Sequence, residues 1–170
     1  MEHKIKYQIE RALCPLEIWR KVMAIITMIT AMKKIHPADI IFIKIGNFFH
    51  VYGKDAYIIS YFFEYKIKTV EKIPTCGFPI NSINRIRSKL EENKINYLIV
   101  DRRNNYDVNE TYDFKNLNNY EKYFEKARPV ISTRIRINNI NQYLSDNENN
   151  KDTKKLLNDI ERLIHERRKI

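Results

Sequence analysis

The stretch from Ile40 to Tyr52 constrains the fold of this chain more than any other. Apart from Lys44, residues 40–45 are apolar and mostly β-branched, a composition that suits a buried strand. Gly46 follows, and beyond it come Phe48, Phe49, His50 and Tyr52. Read with one unbroken period of two, Ile41, Ile43, Ile45, Phe49 and Val51 fall on one face. Lys44, Phe48, His50 and Tyr52 fall on the other. That second set offers a phosphate contact, stacking planes and base-edge hydrogen bonds, so a nucleic-acid surface is expected there. The competing role for Phe48 is a core aromatic, and its place opposite the isoleucines argues for exposure.

The segments around this strand alternate in period. Pro15 suits a helix start, and Ile18, Val22, Ile25, Ile29 and Met32 then recur at helical spacing, which predicts a leading helix over 15–34. His36-Pro37 stops it. A short helix is expected from Asp55, a weak strand at Tyr65 to Val70, and an edge strand at Ile73 to Pro79 because its prolines cannot donate to a ladder. Ile83, Ile86 and Leu90 mark the inner side of another helix, and Ile95 to Val100 reads as a strand. The fold class is therefore α/β, a mixed sheet flanked by helices over 1–108, with an all-helical extension over 109–170. The composition shift at 109–119, polar and rich in asparagine, places that boundary. Tyr120 to Ala127 form one helical pattern before Pro129 and Val130, Ile137, Ile140 and Leu144 another. A last helix carries Leu156, Ile160, Leu163 and Ile164 as an apolar stripe.

The 170 residues allow one domain with a proper core plus a helical segment. A formal charge of +10 favours a polyanionic partner. Cys14 and Cys76 stand in no metal-like spacing and read as reduced thiols. The longest mostly apolar run, Met23 to Met32, is half the ~20 residues a membrane span needs. A cytoplasmic protein with no membrane partner is expected. Gly46, Gly53 and Gly77 are isolated, so no phosphate loop is present, and the four histidines have no partner at metal-ligand spacing. Glu91-Glu92 point in different directions on a helix. No catalytic set stands out, and neither enzymatic activity nor a cofactor or metal is expected.

Residues from about Ile29 to Arg102 resemble the N-terminal, mismatch-recognition domain of the MutS family of DNA mismatch-repair proteins. Ile45-Gly46-Asn47-Phe48-Phe49-His50-Val51-Tyr52 stands where the family has a Gly-Asp-Phe-Tyr-Glu-Leu-Phe type sequence. Lys54-Asp55-Ala56 matches its Asp-Asp-Ala helix start. Ile73-Pro74-Thr75-Cys76-Gly77-Phe78-Pro79 matches its Ile-Pro-Met-Ala-Gly-Val-Pro segment, and Tyr97-Leu98-Ile99-Val100 matches a strand in position. Each motif alone is weak, but four in the same order are specific for the fold. The resemblance implies that Phe48 is the aromatic that wedges into the minor groove and stacks on a mispaired base. His50 replaces the glutamate that bonds that base, and an imidazole donates or accepts without repelling phosphate. The clamp and ATPase domains of a full MutS protein have no counterpart here. Reduced relatives of this kind occur beside reverse transcriptases in diversity-generating retroelements.

The first expectation is a non-enzymatic nucleic-acid-binding accessory protein, with DNA favoured over RNA and a reverse transcriptase or other polymerase as protein partner. Phe48 would stack, His50 would meet a base edge or phosphate, Tyr52 would extend the ridge, and Lys44, Arg102 and Arg103 would hold backbone. Arg85, Arg87 and Lys89 extend the basic surface or are ordinary solvated charges. The second expectation is a protein-interaction module whose C-terminal helices dock a polymerase or form a homodimer.

Overall fold

The computed structural model describes residues 23–101 and 108–168. The start of the leading helix, Cys14, Arg102 and Arg103 lie outside the described residues. Helix α1 is described over 23–35 and stops where His36-Pro37 follows. Then come β1 (Ile40–Ile45), β2 (Phe48–Tyr52), α2 (Lys54–Phe63), β3 (Ile67–Val70), β4 (Ile73–Pro79), α3 (Ile83–Glu92), β5 (Tyr97–Asp101), β6 (Val108–Tyr112), α4 (Tyr120–Asp146) and α5 (Lys151–Arg168). The six strands form one mixed sheet in the order β3-β4-β2-β1-β5-β6. β1 and β5 run parallel, and every other pair is antiparallel.

The chain divides into two compact units, residues 1–127 and 128–170. In the first, the sheet separates two apolar layers. On one side Phe42, Phe49, Val51 and Phe78 pack with Ile58 and Ile59 of α2 and Ile86 and Leu90 of α3, and Phe42 meets three rings edge-on. On the other side Ile41, Ile43, Leu98 and Val100 pack with Ile25, Met28, Ile29 and Met32 of α1. β1 and β5 thus carry apolar residues on both faces, as parallel neighbours covered on both sides must.

The asparagine-rich stretch after β5 is tied to this unit. β6 pairs with β5, and Tyr112 stacks on Tyr97 at 5.5 Å. The buried Asn96 accepts from the Phe114 amide at 2.8 Å and donates to Asp113 at 2.9 Å. Asn118 accepts from the amides of Asn96 and Tyr120 and donates to the Ala38 carbonyl. Polar composition here reflects side chains satisfying backbone groups of a short-strand region.

Two expectations about local order change. β4 is internal, between β3 and β2, and not an edge strand. Pro79 ends its ladder with β2 and Pro74 lies just beyond Thr75 at the other end, so Thr75 to Phe78 remain free to pair. Helix α4 also runs through Pro129 without a break. In the second unit, α5 leaves Leu156, Leu157, Leu163 and Ile164 exposed.

Candidate nucleic-acid interface

The hairpin joining β1 and β2 decides what the ridge contains. Gly46 and Asn47 form its two-residue turn, and Gly46 takes φ 59°, the positive value that tight hairpins need at their first turn position. Cross-strand partners share a face, and here Ile43 faces His50, Lys44 faces Phe49, and Ile45 faces Phe48. Odd positions of β1 therefore share a face with even positions of β2. Phe48, His50 and Tyr52 stand on the side of Ile41, Ile43 and Ile45, while Lys44 stands on the opposite side with Phe49. A single alternation cannot pass through a two-residue turn unchanged, and this corrects the expected ridge. Lys44 instead pairs with Asp101 at 3.2 Å, its neighbour across the parallel β1–β5 ladder.

The remaining three rings stay together. Phe48 is 49% exposed, His50 and Tyr52 are partly buried, and successive centroids lie 6.5 Å apart. His50 lies over Gly77, its partner on β4. A Cβ on Gly77 would approach the imidazole to 3.2 Å, so this glycine leaves room for the ring. Burial lowers the pKa of His50 from the usual 6.5, which keeps the ring neutral at pH 7. A neutral imidazole offers one donor and one acceptor.

Among the described residues, α1 covers the β1–β5 half of this face and leaves the β2–β4–β3 half open. The result is a groove of about 420 Å³ with Phe48, His50, Tyr52, Thr75 and Gly77 on its floor and Ile25 and Ile26 as one wall. Lys66 and Lys68 line the side formed by β3. Lys68 faces Thr75, which faces Tyr52, so the lysine and the ring share a face two strands apart. Both lysines are exposed, and among the described residues neither forms an ion pair with a carboxylate. Sequence reasoning does not single out these two cations, although the alternation Lys66-Ile67-Lys68 in a weak strand carries the signal.

The cations expected on α3 belong elsewhere, because α3 packs on the far side of the sheet. Arg85 lies over Phe63 at 5.1 Å, Arg87 donates to Tyr97 at 3.0 Å and pairs with Glu110, and Lys89 pairs with Glu92 at 3.1 Å. Among the described residues no group of three or more metal-ligating side chains occurs, and no helix is long and apolar enough to cross a membrane.

The three rings thus stand on a six-stranded mixed sheet, at the end of a β1–β2 hairpin that is followed by a helix with a buried acid in its first turn. Residues 23–121, more than half of the chain, match the family described as MutS domain I, and the chain belongs to that family. That domain family is non-catalytic. No curated protein matches the chain.

Proposed function

We propose that this chain is a non-enzymatic nucleic-acid-binding protein, with DNA as its ligand, that stacks Phe48 on an exposed or mispaired base. The half-exposed Phe48 at the open end of the Phe48–His50–Tyr52 ridge is the observation that carries this reading. A large apolar ring left in water beside a neutral imidazole, on a groove edged by two exposed lysines, suits a base better than a core. Family membership supports DNA over RNA. His50 meets the base edge or a phosphate, and Arg102 and Arg103 hold backbone. The resemblance extends the proposal to an accessory role beside a reverse transcriptase or another polymerase.

A second reading has its own observation. Ile137, Ile140, Leu163 and Ile164 of the C-terminal helices are about half exposed. Apolar stripes of this kind fit a protein partner or a second copy of the chain.

Fluorescence anisotropy with matched duplex, mismatched duplex, single-stranded DNA and RNA separates the two. Binding that Phe48→Ala weakens by roughly 5- to 150-fold, the effect of losing one stacked base, supports the first reading. Failure to bind any of the four at low salt overturns it in favour of the interaction module.

A further inference from the structure

If Phe48 stacks on a base, as proposed above, the spacing of the three rings also selects among nucleic acids. Phe48, His50 and Tyr52 follow one another along β2 at centroid steps of 6.5 Å. This is the repeat of alternate residues in a strand, about 6.6 Å. Bases stacked in a duplex rise by only ~3.4 Å along each strand. Consecutive bases of a duplex therefore cannot lie on consecutive rings, whereas the unstacked bases of an extended single strand can. Ile25 and Ile26 of α1 form a second wall of the same groove, whose volume is about 420 Å³.

Charge completes the fit. Lys66 and Lys68 run beside the ring ladder at a distance of two strands, roughly 9.6 Å across the sheet. No carboxylate lines the groove among the described residues. A strand lying along it sets its bases on β2 and its phosphates toward β3. We propose that this groove is a single-stranded DNA subsite, holding two or three unstacked nucleotides with bases on Phe48, His50 and Tyr52 and phosphates at Lys66 and Lys68.

The test is anisotropy on the full chain with a short labelled oligothymidylate, matched duplex, mismatched duplex and oligouridylate. The oligothymidylate should bind at least about tenfold tighter than matched duplex, as expected when stacking on more than one ring is lost. The double variant Lys66→Ala, Lys68→Ala should weaken oligothymidylate binding and leave the melting temperature unchanged, because both side chains are exposed. Tighter, Phe48-dependent binding of mismatched duplex than of oligothymidylate would overturn the single-strand subsite and leave the stacking function standing. Tighter binding of oligouridylate would overturn the assignment to DNA. An unchanged affinity in the double variant would remove the lysines from the site and with them the proposed path of the strand. Binding to none of the four would overturn the stacking function itself, and this subsite with it.

Discussion

His50 stands in the middle of the ring ridge, and its surroundings decide what it does. The partly buried imidazole lies on the Gly77 backbone, and burial favours its neutral form. The folded pKa is therefore below the unfolded value near 6.5. The unfolded chain binds the proton more tightly, so stability is unaffected by His50 above pH ~6.5 and is lost as pH falls from there toward the folded pKa. A histidine-resolved NMR titration should place the His50 midpoint below 6.5. A midpoint at or above that value would mean a ring standing free in water. The residue type is legible in the sequence, as is the ring character of Phe48 and Tyr52. The glycine that admits the imidazole is visible there only as part of a motif, because the reason for Gly77 is a neighbour on another strand.

Among elements, helix α2 is anchored by one carboxylate. Asp55, 1% exposed in its first turn, accepts from Lys33 of α1 at 2.6 Å, from the Tyr120 hydroxyl of α4 at 2.6 Å and from the Ile41 amide of β1 at 3.0 Å. Burial pushes this carboxyl up from its ordinary range, while the Lys33 charge and the three donors pull it back. Removing the acid leaves the largely covered Lys33 ammonium and a buried amide without their partner. Asp55→Ala should therefore lower unfolding free energy by about 3–5 kcal/mol, the usual result of breaking one side of a buried pair. Tyr120→Phe keeps the ion pair and should cost about 1 kcal/mol. Urea unfolding of the two variants measures both, and equal costs would show that the ion pair contributes nothing beyond the hydroxyl. The element sequence itself is legible because apolar periods change cleanly at His36-Pro37, Gly53 and Asn93. Strand order is not. The prolines of β4 suggest an edge, yet proline's missing donor says where a ladder ends and not which strands flank it.

At the scale of the molecule, the formal charge of +10 and the local pair Lys66–Lys68 make different predictions. Counterion release from a single strand gives a slope of about −0.7 in log K against log salt for each phosphate contact. Two lysines at the groove therefore predict a slope near −1.4 for oligothymidylate, deepened by a further ~0.7 for each of Arg102 and Arg103 that also meets phosphate. A salt titration yielding a slope near −7 would show the whole charge acting without a defined site. Several cations near the sheet are engaged with acidic partners: Lys44 with Asp101, Arg87 with Glu110, Lys54 with Glu121. The net charge is spread over the whole chain, and among the described residues Lys66 and Lys68 are the cations that line the groove.

Read along the chain alone, the residues already make β1 a buried strand, alternate helices and strands around it, and put Phe48, His50 and Tyr52 on one side of β2. Those are local facts, set by composition and by the two-residue repeat of a strand. Which side that is depends on the pairing of the strands. The Gly46–Asn47 turn reverses the parity between β1 and β2, moving Lys44 away from the ridge, and the β2–β4–β3 pairing brings Lys66 and Lys68 to it. A face is shared through hydrogen-bonded register between strands distant in sequence, and no periodicity within one segment encodes that register.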